Sequence, residues 1–547
     1  MTPRALARLL GGYAAAMVVV AVIVHFAVAL RRVDGAHVRT AWRKGEVVAR
    51  SADGPIAEAP GVTVVDEHVV GEAPILTTFE PLFAVSLVAG VDGVSATLNG
   101  KTVYLTPDEL LARQAYDKGI TIPSLSLSLG ADIPLVEALL GERLGVSAPV
   151  LREKATLRRV RVERPASLAS LGSAKTTPAD VTPASLREAA LAAASFLARG
   201  VGQDGRFRYM VDAPTDRTLP GYDWPRHAGA TYFLAQAAEL TKDPVVAGAA
   251  LRAAKYLREK STQDCGGLKC VGPDAVIEIG SASLGVIALA EIARVGLDAS
   301  ARDEVVALST FLRAQQRPDG EFMHFFDRRT GKPIDAQTLY YSGEATLALA
   351  RAYELTGDEA DLEASRRGLS HLVGPAWRFF GNRYYFGEEH WTCQAMADLW
   401  ERAPDPDALD FCARWRAYDA NMMYGPDDLA IDADGSFGVG PVVTPRLTPV
   451  GSRSEAGVAT LDALIRSNAD PARRDALASQ LRRSFALLMR QQLRPGRAYL
   501  FANAADVAGA LPGSDVDWQL RIDYAQHAGS AMIRAAALWS RGAAASP

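Results

Sequence analysis

Five short stretches concentrate the side chains able to do chemistry: Tyr222-Asp-Trp-Pro-Arg-His227, Tyr340-Tyr-Ser-Gly-Glu344, Glu388-Glu-His-Trp391, Arg453-Ser-Glu455 and Asp517-Trp-Gln-Leu-Arg-Ile-Asp-Tyr-Ala-Gln-His527. Asp223, Glu344, Glu389, Glu455 and Asp523 are the candidate catalytic carboxylates. Two of them flanking a glycosidic bond, one kept protonated by its surroundings, would serve for hydrolysis. A Tyr or His base beside a group that neutralises a uronate carboxylate would serve for elimination or C5 epimerisation. Tyr340, Tyr341, His390, Arg226, Arg453 and Arg521 supply those types. Trp224, Trp391, His227 and His527 complete the candidate substrate-binding set. Residue types alone do not choose between these chemistries.

Each residue also has a structural reading. Acids at helix starts are often caps or partners of the helix dipole, which applies to Glu344, Glu389 and Glu455. His227 and His527 could bond a neighbouring carbonyl, and Trp224, Trp391 and Trp518 could belong to the core. What favours chemistry is convergence, because separate caps need not all be ionisable or aromatic.

The elements that must position these residues repeat along the chain. The motifs His227-Ala-Gly-Ala, Gly280-Ser-Ala-Ser, Ser342-Gly-Glu-Ala, Glu389-His-Trp-Thr, Glu455-Ala-Gly-Val and His527-Ala-Gly-Ser each lead into an Ala/Leu-rich helical stretch. Only the Gly280 motif opens without an ionisable or aromatic residue, which predicts a working side and a plain side. Six amphipathic helices alternate with these stretches, beginning near Ala184, Asp243, Ala301, Asp358, Asp405 and Pro471. Most run into a Gly-containing segment of β character: Asp204-Gly-Arg-Phe-Arg-Tyr209, Asp319-Gly-Glu-Phe-Met-His324, Gly381-Asn-Arg-Tyr-Tyr-Phe386, Asp434-Gly-Ser-Phe437 and Gly496-Arg-Ala-Tyr-Leu-Phe501. Helical hairpins of this kind bury their faces only against neighbours, and closing the ring removes the ends. The expectation is a mainly α fold, an (α/α)6 toroid over residues 183–547. Inner helices would converge on one cleft, where their N-termini favour anions.

The outer-helix, Asp-Gly-x-Phe, inner-helix units resemble the six-hairpin glycosidase superfamily. The resemblance implies a carbohydrate-active enzyme working on a polysaccharide or glycoconjugate, most simply a glycoside hydrolase. A uronate-directed lyase or epimerase and a non-catalytic glycan binder are the alternatives. No family's catalytic motif is matched, so no catalytic residue is carried over. Toroidal lanthionine cyclases need a zinc site of two Cys and a His, and Cys265 and Cys270 lie far from the inner-helix starts. Terpene cyclases need an acidic cluster, of which Asp515-Val-Asp517 is a thin version. No metal and no cofactor is expected.

The N-terminal third reads differently. Leu9 to Leu30 is almost wholly apolar and reaches the roughly 20 residues needed to span a bilayer, so residues 1–30 are expected as an uncleaved transmembrane anchor. Residues 31–60 read as a tether. Residues 61–165 read as a small α/β domain of unassigned role, with a hairpin at Asn99-Gly100, a helix opened by Thr106-Pro-Asp-Glu, and Leu157–Glu163 as an edge strand. Residues 166–182 read as a linker.

Arg31, Arg32, Arg39, Arg43 and Lys44 after the apolar run favour a cytoplasmic bulk. Expected disulfides, Cys265 with Cys270 and Cys393 with Cys412, favour an oxidising compartment. The expectation is a single-pass membrane protein, mostly extracytoplasmic. The net charge of −4 is interspersed, with no basic stripe interleaved with aromatics, so no nucleic-acid partner is expected.

Overall fold

The computed structural model describes residues 29–75, 87–116, 119–122, 125–128, 130–163, 176–374, 376, 389–426, 428, 432–438, 444–493 and 495–541. Among the described residues, twelve long helices from Pro183 onward alternate between two concentric layers. The outer layer holds α4 (Pro183–Arg199), α6 (Pro244–Ser261), α8 (Ala301–Ala314), α10 (Glu359–Val373), α12 (Pro406–Ala420) and α14 (Pro471–Gln491). The inner layer holds α5 (Trp224–Thr241), α7 (Ile279–Arg294), α9 (Tyr341–Thr356), α11 (Glu389–Leu399), α13 (Leu447–Arg466) and α15 (Ile522–Ser540). The N-terminal domain adds α1 (Pro107–Ala112), α2 (Ile133–Leu144) and α3 (Ala148–Lys154).

Ring closure is explicit in the packing: α5 touches α7, α7 touches α9, α9 touches α11, α11 touches α13, α13 touches α15, and α15 returns to α5. This is the expected (α/α)6 toroid. Outer helices start where the sequence signals a cap. Asp243, Asp358, Asp405 and Asp470 each accept a bond from a first-turn backbone N–H, satisfying donors that the helix itself cannot.

The Asp-Gly segments fix how the two layers meet. Gly205, Gly320 and Gly435 have φ of +88°, +91° and +92°, a conformation that favours glycine. A Cβ at these positions would lie 2.0, 2.4 and 2.3 Å from the carbonyl oxygens of Arg252, Arg367 and Arg483, each on the next outer helix. The following phenylalanines make isolated bridges, Phe207 to Val201, Phe322 to Gln316 and Phe437 to Met423. The segment from Gly496 to Phe501 departs from the expected ribbon, and Pro495–Leu500 is a short 3-10 helix. Gly381 to Phe386 lies outside the described residues.

Two disulfides are present. Cys265 pairs with Cys270 across a two-stranded ribbon, and Cys393 of inner α11 pairs with Cys412 of outer α12.

The N-terminal part corrects several expectations. Residues read as a tether form β1 (Arg31–Arg32), β2 (His37–Arg43) and β3 (Glu46–Ala52) of a seven-stranded sheet. The other strands are β4 (Thr63–Pro74), β5 (Asp92–Leu98), β6 (Lys101–Leu105) and β7 (Thr156–Glu163), in the order β3-β2-β4-β7-β5-β6 with β1 against β4. Asn99 and Gly100 turn the β5–β6 hairpin, both at positive φ. β7 is central rather than an edge, because its arginines are neutralised within the sheet: Arg161 Nε donates to the buried Asp92 Oδ1 at 2.9 Å.

The sheet docks on the ring beside the loops that lead to Asp223 and Asp523. Gly45 N donates to Tyr499 O at 2.9 Å, and Tyr499 Oη donates to Asp108 Oδ2 at 2.6 Å. The single-pass, extracytoplasmic expectation is also corrected: among the described residues no helix is long and apolar enough to cross a membrane. Residues 1–28, which hold most of the apolar run, lie outside the described residues, and the chain beyond Leu30 enters the sheet as a strand.

Candidate functional site

Three inner helices bring His390 (α11), Glu455 (α13) and His527 (α15) together inside the ring. Glu455 was expected to open its helix. Instead α13 begins at Leu447, so Glu455 lies in the third turn and its side chain is buried between inner helices rather than capping one. Glycine creates the contact. Gly451, one turn before Glu455 on the same face, lies so close to α15 that a Cβ there would sit 2.9 Å from Ala528 N and 3.1 Å from His527 Cβ. The neighbouring interfaces repeat the device: a Cβ at Gly343 would meet Trp391 Cβ at 3.1 Å, and one at Gly229 would meet Gln526 Oε1 at 3.0 Å.

Glu455 is fully buried. Its Oε2 accepts from His390 Nε2 at 2.7 Å and from His527 Nδ1 at 2.8 Å. Burial alone would raise this carboxyl; the charge and hydrogen bond of His527 and those of His390 override it and hold it down at about 2. The shared oxygen therefore fixes both tautomers, leaving His390 Nδ1 and His527 Nε2 as the basic nitrogens. His527 reaches the cleft, its side chain 13% exposed, while His390 is buried. Trp391 walls the pair, its ring 3.9 Å from that of His390 and 5.9 Å from that of His527. One ligand atom from each of these three residues lies within 4.8 Å of the others, a set able to hold a metal ion, although the two contacts have hydrogen-bond lengths.

Asp523 lies one helical turn before His527. It is gripped by Arg521, with Nε at 2.6 Å and Nη2 at 2.8 Å, and by Arg226 Nε at 3.3 Å. Burial works against the charged carboxylate, but Arg521 and Arg226 hold it far below the usual range. Arg226 also pairs with Asp223 at 2.9 Å and contacts Tyr209 Oη at 3.3 Å. Asp223 caps α5 through Arg226 N, and so fills the structural role as well. Across the ring, Tyr341 Oη donates to Glu278 Oε2. Burial and then Glu278 push this phenol far above its ordinary value, with Glu344 and Asp223 adding to the effect. Glu344 is buried, its Oε2 against Gly280.

Other expected site residues are placed elsewhere. His227 is fully buried and turned to the outer layer, with Nε2–H donating to Ala253 O at 2.9 Å and Nδ1 accepting from Tyr222 Oη at 2.7 Å. Burial lowers its pKa to about 4. Trp224 stacks on Tyr256 at 5.7 Å in the same aromatic cluster. Arg453 is buried with its guanidinium 3.5 Å from Asp419 of outer α12 and 4.9 Å from the Phe437 ring centre. Tyr340 is exposed at a positive φ of 77°. The side chain of Glu389 lies outside the description.

Sequence reasoning missed Glu278 and Tyr209. Glu278 stands two residues before Gly280, which opens the motif read as bare, so that side of the ring is not plain. The signal was present just upstream.

Among the candidate carboxylates, Glu455 and Asp523 are held ionised by cationic or hydrogen-bonding partners. Neither is a protonated acid. The arrangement suits proton transfer by an oriented imidazole.

No protein-family model matches the chain, and no curated protein matches it. Solved structures do. A D-mannose isomerase is 12% identical, with 68% of this chain and 99% of that one covered and a TM-score of 0.48. An unsaturated glucuronyl hydrolase from Bacillus sp. GL1 is 14% identical, with 65% and 97% covered and a TM-score of 0.47. An alpha-1,6-mannanase from Salegentibacter sp. HEL1_6 is 13% identical, with 64% and 99% covered and a TM-score of 0.46.

Proposed function

We propose that the chain is a carbohydrate-directed enzyme whose reaction is a proton transfer at a sugar carbon, an epimerisation or aldose–ketose isomerisation, with His527 as the base. The observation that carries this reading is the single carboxylate oxygen of Glu455 shared by two imidazoles. By accepting from Nδ1, Glu455 directs the basic nitrogen Nε2 of His527 away from itself. That nitrogen takes the proton next to the carbonyl of an open-chain sugar. A second acid/base group, His390 in its imidazolium form in this reading, gives a proton to the neighbouring oxygen or carbon, while His527 keeps the one it took. Such general acid–base help contributes roughly 10²–10⁴-fold in rate.

Two features support a neutral sugar over a uronate. Arg226 and Arg521 are matched by Asp223 and Asp523, so neither is left over to neutralise a substrate carboxylate. The donors and acceptors they present suit hydroxyl groups. Hydrolysis by paired carboxylates has less support, since it needs one carboxyl kept protonated.

The test is product analysis of the purified chain with neutral reducing mono- and disaccharides. Conversion to an epimer or a ketose, lost in His527→Gln, is the expected result. Release of shorter saccharides without isomerisation would overturn the reading in favour of hydrolysis.

A further inference from the structure

The inner helices run from the histidine cleft to the opposite face of the ring, where their C-terminal ends surround a second cavity of about 270 Å³. Its walls include Gln236 of α5, Glu291 and Arg294 of α7, Arg351 and Glu354 of α9 and Asp398 of α11. Glu354 follows Glu344 by ten residues on one helix, which sets the two ends roughly 15 Å apart along the axis. Nothing in the proton-transfer reading uses this well.

Most of its charges are already matched. Arg351 Nε donates to Asp398 Oδ2 at 3.0 Å, and Arg534 Nη2 donates to Asp398 Oδ1 at 2.9 Å. Arg294 is held by Glu291 and Glu239. What remains unmatched is acceptor capacity. Gln236 spends its Nε2–H on Tyr232 Oη at 2.7 Å, leaving its buried Oε1 without a hydrogen-bond partner among the described residues. Glu354 has no ion-pair partner among them either, and it reaches solvent at the rim. Partial desolvation and then the charge of Asp398 raise its carboxyl to about 7, against the opposing charges of Arg351 and Arg534. The C-terminal ends of α7, α9 and α11 add the negative pole of the helix dipole.

The geometry points to a second ligand site in this well, for a small organic cation bearing N–H donors, an alkylammonium held by Glu354 and Gln236 Oε1. The volume equals that of about nine waters at ~30 Å³ each, enough for a short amine and too small for an oligosaccharide. This inference does not rest on the reaction assigned to His527.

Calorimetric titration of the full-length chain with putrescine tests it. The expected result is saturable one-to-one binding, weakened at least tenfold in Glu354→Gln and in Gln236→Leu, and unchanged in His527→Gln. Leu355→Trp, which fills the well from its wall, is expected to abolish binding and covers the case in which Glu354→Gln fails to fold. Absence of saturable binding to the wild type overturns the inference. So does binding that survives all three well variants, or that is lost only in His527→Gln, since the amine would then sit in the opposite cleft. Displacement of putrescine by an equal concentration of potassium would also overturn it, by making the site one for a bare ion.

Discussion

Glu455 and His527 stand on adjacent inner helices that touch through a glycine, and the carboxylate accepts a hydrogen bond from Nδ1 of the imidazole at 2.8 Å. The same oxygen accepts a hydrogen bond from Nε2 of His390 at 2.7 Å. One buried charge thus orients two rings, and losing it affects both.

Glu455→Gln is therefore expected to lower kcat by roughly 10²–10⁴-fold with little change in KM, because the amide no longer selects the tautomer that leaves His527 Nε2 basic. A rise in KM at constant kcat would instead assign Glu455 to substrate binding.

Gly451→Ala would gain about 1 kcal/mol from helix propensity if α13 stood alone. Here the added Cβ meets Ala528 N at 2.9 Å and His527 Cβ at 3.1 Å, so α13 and α15 must separate. The expected outcome is a net loss of about 1–3 kcal/mol by chemical denaturation, together with loss of activity. An unchanged or raised stability would show that the interface yields.

Much of this arrangement is readable from sequence, and the exceptions have physical causes. The alternation of amphipathic and Ala/Leu-rich stretches is what a ring of helical hairpins needs, since each hairpin buries its faces only against its neighbours. Asp before Pro at positions 243, 405 and 470 marks helix starts, because cap chemistry is local. The depth of Glu455 is not local: nothing in Glu455-Ala-Gly-Val reveals that the helix extends back through Pro449 to Leu447. Nor does a helical motif state which way its ionisable residue turns. His227 and Arg453 face the outer layer because Ala253 and Asp419 offer partners there, and those partners are distant in sequence. The strands of residues 31–52 were hidden by their polar alternation, which a sheet with one solvated face shares with a tether.

The buried His227 makes stability pH-dependent. Its pKa falls from 6.5 to about 4 on folding, so at pH values between these the unfolded chain binds a proton that the native ring refuses. Its neutral-form stability is complete above pH 6.5 and is lost as pH falls toward 4, by on the order of 3 kcal/mol. Denaturation midpoints followed from pH 7.5 to 4.5 check this, with His227→Gln expected to flatten that part of the curve. An equally steep curve in the variant would assign the loss to other groups.

The cleft atoms that orient the imidazoles are also a metal-ligand set, within 4.8 Å of one another. Added Zn²⁺ is expected to inhibit by replacing the protons through which Glu455 sets the two tautomers, and a chelator to leave the activity of the purified chain unchanged. Activity lost on chelation and restored by one metal ion per chain would replace the acid–base account with a metal-centred one.

The central claim is that His527 moves a proton at a sugar carbon. The most direct measurement is the NMR spectrum of a neutral reducing sugar turned over by the chain in D₂O. The account predicts deuterium at the carbon next to the carbonyl in wild type, and none in His527→Gln. Turnover without deuterium at any carbon, or labelling that persists in His527→Gln, would contradict it.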